Sequence, residues 1–121
     1  MQSPFHISVG ALALTVLATP VTCQTVIKPE DAANHVGQTL VVEGTVAKVS
    51  ASQRSATTFL NFCAPYPEQC FTAVIFQSAR PLFTDPQGWE GKKMRVSGRV
   101  RLYKGKPEIV LEKPSQIQSV P

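Results

Sequence analysis

The chain has 121 residues, 43% of them hydrophobic and 17% charged, and a formal net charge of +4. That length supports one hydrophobic core, and the composition lies near the globular average, which excludes a disordered, collagen-like or coiled-coil chain. Ten prolines and seven glycines point to many short elements joined by turns, and so to β structure.

From Ile7 to Thr22 the sequence carries no charge. This run is too short, and too interrupted by Pro20, for a good membrane span, and it has the length of a secretory apolar segment. Residues 1–23 are therefore expected to be a signal peptide cleaved near Ala18 or Cys23. That leaves residues 24–121 as the mature domain, periplasmic or secreted. Acylation of Cys23 is an alternative, against which Pro20 and Thr22 count as poor lipobox residues. All twelve Lys and Arg and all eight Asp and Glu lie beyond the segment, so the mature part keeps the whole positive excess.

Lys28 to His35 predicts one or two helical turns, because Pro29 suits a first helical position and Glu30 and Asp31 complement the N-terminal dipole. Gly37 ends them. Leu40 to Val49 alternates in polarity and predicts a long first strand, in which Gly44 marks a bulge or a sharp coil. A polar connector, Ser50 to Ser55, follows. Thr57 to Phe62 and Phe71 to Phe76 are rich in aromatic and β-branched residues and predict a hairpin. Cys63 and Cys70 stand at its two rims, flanking the turn-forming Ala64-Pro65-Tyr66-Pro67-Glu68-Gln69. In an oxidising compartment they are expected to form a disulfide, and closing so short a loop stabilises by about 2 to 3 kcal/mol in the chain-entropy model. A metal site needs more ligands than these two thiols and a distant His35 supply, so neither metal nor cofactor is expected.

Ser78 to Trp89 contains Pro81, Pro86 and Gly88 and predicts a short helical or irregular link. Trp89, beside Gly88 and Gly91, is expected to plug one end of the core. Lys93 to Tyr103 predicts the fourth strand: Met94, Val96, Gly98, Val100 and Leu102 form one face, and Lys93, Arg95, Ser97, Arg99, Arg101 and Tyr103 the other. Lys104-Gly105-Lys106-Pro107 reads as a turn and Glu108 to Glu112 as a fifth strand. Seven basic residues and no acidic one fall between Lys92 and Lys106.

Five such strands, with a short N-terminal helix and a helical or irregular link between strands three and four, predict an all-β, five-stranded Greek-key barrel of the OB-fold plan. The residues also carry a resemblance. His35-Val36-Gly37-Gln38 leads to Val42-Glu43-Gly44-Thr45-Val46. Thr58-Phe59-Leu60-Asn61-Phe62, Tyr66-Pro67 and Phe71 to Phe76 follow, and then Gly91-Lys92, Val96 to Val100 and Tyr103 to Ile109. This series resembles the small bacterial OB-fold proteins described as nucleic-acid-binding, some of them exported, over Ile27 to Val120. The resemblance implies a binding protein for nucleic acid. The hairpin cysteines stand outside its pattern and reflect the compartment.

Catalysis finds little support: the expected mature part has one histidine, His35, few carboxylates, and no phosphate loop, nucleophile elbow or HExxH motif. Binding finds more, because single-stranded nucleic acid asks for cations along the phosphates and aromatic planes for the bases. The candidate residues are Arg54 after the first strand, Phe59 and Asn61 on the second, Tyr66 at the hairpin tip, and Tyr103, Lys104 and Lys106 around the last turn. Phe59 serves equally well as a core residue, the tyrosines as loop packing, and the basic strand as a solvated face that discourages edge pairing. The expected partner is single-stranded DNA or RNA, bound by a monomer. The alternative is an anionic envelope polymer, an oligosaccharide or another protein.

Overall fold

The computed structural model describes residues 24–121; the expected signal peptide and the acylation alternative at Cys23 lie outside the described residues. Eight strands follow one another: β1 (Val26–Ile27), β2 (Thr39–Ala51), β3 (Thr58–Phe62), β4 (Phe71–Ile75), β5 (Lys93–Arg99), β6 (Arg101–Tyr103), β7 (Lys106–Val110) and β8 (Ile117–Ser119). Short 3-10 helices occupy Pro29–His35, Arg80–Leu82, Pro86–Trp89 and Pro114–Gln116. Each carries a proline in its first two positions, where the fixed φ and missing N–H cost nothing. The chain is therefore all-β, with the short N-terminal helix and the helical link where the sequence places them.

One mixed sheet contains all the strands in the order β6-β7-β4-β3-β2-β5-β8, with β1 parallel to β2 off that path. β4 and β7 also run parallel, and the other pairings are antiparallel. Besides β1, β2 serves two antiparallel neighbours. Its first half, Thr39 to Thr45, pairs with β5, and its second half, from Val46, pairs with β3 after a register shift between Val46 and Lys48. A bulge of this kind bends a strand and increases its twist.

The expected fourth strand is divided. At Val100 the backbone leaves β2: its N–H donates to Gln38 O (2.9 Å), and its carbonyl accepts from the Gly37 N–H (2.7 Å). Beyond it, Arg101 pairs with Glu108 of β7. The expected apolar face consequently ends at Val100, and Leu102 is 53% exposed. β6 pairs with β7 alone and stands at the end of the sheet path. β1 and β8 carry too few residues for an alternation to show.

Alternation decides what faces inward. Leu60 and Phe62 of β3, and Phe71, Ala73 and Ile75 of β4, join Leu40, Val42, Val46, Met94, Val96 and Ile109 in the core. Phe62 and Phe71 are directly opposed, with tilted rings 5.3 Å apart between centroids. Burying each such side chain is worth about 1.5 to 3 kcal/mol. Trp89 packs against this core and stands edge-on to Phe83, at 6.3 Å. Phe59, Asn61 and Thr72, at the intervening positions, stand on the opposite face.

Gly44 lets the Pro29–His35 turn approach β2, since a Cβ there would run into the Pro29 ring. Replacing Gly44 with Ala is expected to cost about 1 to 3 kcal/mol, the usual penalty for overpacking. Urea denaturation checks this, and an unchanged midpoint would show that Pro29 yields freely.

Candidate functional site

Residues directly opposed across a ladder share a face. The register sets Asn61 against Thr72, Thr72 against Glu108, and Glu108 against Arg101. A polar row thus crosses four strands on the side away from the core. Its members satisfy one another: the Thr72 hydroxyl donates to Asn61 Oδ1 (3.2 Å), and Arg101 donates to Glu108 Oε2 through Nε (2.8 Å) and Nη2 (2.7 Å). Asn61, Thr72 and Glu108 are buried. One row further on, Tyr103 faces Lys106.

The loop between β3 and β4 closes over this surface. A disulfide joins Cys63 and Cys70, whose Cα atoms are 5.6 Å apart. A second tie comes from the adjacent strand β7, where Lys106 Nζ donates to Pro67 O (2.5 Å) and Gln69 O (3.0 Å). Between loop and sheet lies a groove of about 530 Å³. Its walls carry three aromatic rings, Phe59, Tyr66 and Tyr103, and Lys104 stands at its rim. Tyr66 is 76% and Tyr103 55% exposed. The Lys104 ammonium lies 5.4 Å from the centroid of the Tyr103 ring.

The structure thus brings Phe59, Asn61, Tyr66, Tyr103, Lys104 and Lys106 to one groove. Arg54 stays apart: it sits in the turn after β2 and does not line the groove. The β2–β3 connection folds on itself, with Ala56 N–H donating to Ser52 O and Ser52 N–H to Thr57 O. Within the groove, Asn61 Oδ1 accepts from the Thr72 hydroxyl and Lys106 Nζ donates to two loop carbonyls. Sequence reading missed Gln69, Thr72 and Glu108. Thr72 and Glu108 carry a signal in the alternation of their strands, whereas Gln69 lies in an irregular loop that offers none.

The basic stretch does not form a continuous cationic face. Arg95 Nε lies 2.6 Å and Lys93 Nζ 3.3 Å from the two oxygens of Glu43, and Arg101 is paired with Glu108. Among the described residues only Lys92, Arg99 and Lys104 of the seven have neither a carboxylate partner nor a carbonyl tie. Arg99 and Arg101 line a separate depression beside Phe76, over whose ring the Arg101 guanidinium sits at 5.8 Å. The Arg95 hydrogen bond, and after it that of Lys93, holds the Glu43 carboxyl below the usual carboxylate range.

Glu30, Cys63 and Cys70 place ligand-type atoms within 4.8 Å of one another. With the sulfurs bonded to each other the cluster has no thiolate to offer a metal.

No family model and no curated protein matches the chain. Among solved structures it is similar to a chain from Leishmania major Friedlin described as an aspartyl-tRNA synthetase, at 13% identity and a TM-score of 0.51. That match covers 87% of this chain and 22% of the other, so this chain spans about a fifth of that structure's length. It is also similar to the structure described as OBody AM1L10 bound to hen egg-white lysozyme. There the identity is 16%, the TM-score 0.47, and the coverage 74% of this chain and 84% of that one. At such identities the likeness concerns the fold.

Exchanging Lys106 for Met keeps the aliphatic stem but removes both carbonyl ties. The expected loss is about 1 to 2 kcal/mol in a half-exposed setting, with faster amide exchange confined to residues 64–69; exchange unchanged there would mean that the disulfide alone holds the loop. Because the folded state prefers ionised Glu43, that contribution is fully present above the ordinary carboxylate range and is lost as pH falls through the depressed value. Glu43→Gln is therefore expected to flatten the acid limb of a stability-versus-pH curve and leave its slope near neutrality unchanged.

Proposed function

We propose that the chain is an exported, non-enzymatic OB-fold binding protein whose groove takes single-stranded nucleic acid, held mainly through its bases. Three features support the fold reading. β6 and β5 lie far apart in the sheet path yet are one residue apart in the chain, so the path returns towards its start. Counting β5 and β6 as one strand leaves five principal strands, the number of a Greek-key OB barrel. The parallel pairing of β4 with β7 fits a connection that crosses between them. The disulfide supports export, since such bonds persist in oxidising compartments. No described helix is long and apolar enough to cross a membrane.

One observation carries the functional reading: Phe59, Tyr66 and Tyr103 surround a single groove on the sheet face, two of them exposed, with Lys104 beside them. Exposed aromatic planes next to a cation are what unstacked bases and their phosphates require. The ion pairs of the basic strand modify the expectation. With Lys104 the one lining cation free of a carboxylate or carbonyl, stacking and not phosphate neutralisation supplies most of the affinity. The same scarcity of free charge favours a neutral oligosaccharide over an anionic polymer as the second reading.

Anisotropy titrations with a labelled single-stranded oligonucleotide test this. Each neutralised phosphate contributes about −0.7 to the slope of log K against log salt for single strands, so with one free lining cation a slope of about −0.7 is expected and Lys104→Ala should flatten it. Tyr66→Ala and Tyr103→Ala are each expected to cost about 1 to 3 kcal/mol. Absence of binding at low salt would overturn the reading, and saturable binding of a neutral oligosaccharide in its place would establish the second.

A further inference from the structure

Among the described residues one buried side-chain polar atom has no hydrogen-bond partner: Gln69 Oε1. Gln69 is 8% exposed and lines the groove. An orphaned buried carbonyl is costly, and native proteins seldom retain one without a reason. The Cys63–Cys70 bridge and the Lys106 Nζ bond to the Gln69 main-chain carbonyl hold the loop backbone that carries this side chain. The protein therefore holds an unused buried acceptor on a residue that lines a groove walled by aromatic rings.

We propose that Gln69 Oε1 is the groove's base-reading acceptor: an unstacked base lies against Tyr66 or Tyr103 and donates an edge N–H to this oxygen. The inference rests on the nucleic-acid reading above and names what that site recognises. The polar inventory of the groove favours a flat heterocycle over a sugar. Asn61 Oδ1 accepts from the Thr72 hydroxyl, Glu108 is held by Arg101, and Lys106 is turned to the loop. Among these groove groups the buried acceptor without a partner is Gln69 Oε1. A base presents two apolar faces to aromatic rings and concentrates its N–H donors on one edge. A pyranose carries hydroxyls around its whole rim, and each would need a partner when buried.

The test compares two short fluorescein-labelled oligodeoxythymidylates, one of thymine and one of N3-methylthymine, which keeps stacking and phosphates but loses the ring N–H. Native protein is expected to bind the thymine oligomer roughly tenfold more tightly, the worth of one hydrogen bond that would otherwise leave a buried acceptor unpaired. Gln69→Met, similar in shape and without polar groups, is expected to bind both oligomers equally, to keep the native salt slope, and to unfold at the same or a higher temperature. Equal binding of the two oligomers by native protein, or persistent discrimination by Gln69→Met, overturns this inference while leaving the nucleic-acid reading intact. Failure of native protein to bind either oligomer overturns both. Should Gln69→Met not fold, the comparison on native protein decides alone.

Discussion

The structure depends on β2 being able to face two partners in succession. A strand of thirteen residues pairs with β5 along its first half and with β3 along its second. The register slips beyond Val46, an irregularity of the kind that bends a strand and raises its twist, and Gly44 leaves room for Pro29 to press against the strand. The two halves of the sheet are thereby carried around a common set of apolar side chains. A straight β2 would leave β5 and β7 too far apart to share Ile109, Val96 and Leu40 in one core.

The same coiling sorts charge. Bringing β5 alongside β2 sets Arg95 opposite Glu43, and bringing β6 alongside β7 sets Arg101 opposite Glu108. Cross-strand pairs of opposite sign stabilise a ladder modestly, and their larger consequence here is that they remove cations from the surface available to a ligand. A positive sequence thus becomes a protein whose groove has one unpaired cation at its rim and aromatic rings on its walls. Recognition in such a groove favours stacking and edge contacts over long-range attraction.

The loop that completes the groove is held from two sides by different chemistry. The disulfide links the ends of the loop, while Lys106 reaches from β7 to two of its carbonyls. A loop so constrained presents Tyr66 and Gln69 at nearly fixed positions, and the conformational entropy that binding would otherwise cost is already lost on folding. Gln69 is the local exception to polar satisfaction in an otherwise paired surface. Unsatisfied buried groups concentrate where a structure serves something other than its own stability.

How much of this was legible beforehand follows from the range of each interaction. Alternation in Leu40 to Val49, Thr57 to Phe62, Phe71 to Phe76 and Lys93 to Val100 is a local property, so these strands, their inward faces and the all-β class could be read directly, as could the cysteine pair across a short turn; the break that leaves Leu102 exposed could not. The helical turn at Pro29 and the link around Pro81 and Pro86 were legible for the same reason, since proline acts on its own φ. Pairings between distant segments were not. Which carboxylate meets Arg95, which carbonyls Lys106 reaches, and that Arg54 lies away from Tyr103 are settled only when register is chosen. Register depends on how the whole sheet coils around its core. The sequence by itself determined which residues want to be inside; the tertiary structure decided which of the remaining polar groups found partners, because hydrogen bonds and ion pairs act over a few ångströms between residues separated by tens of positions.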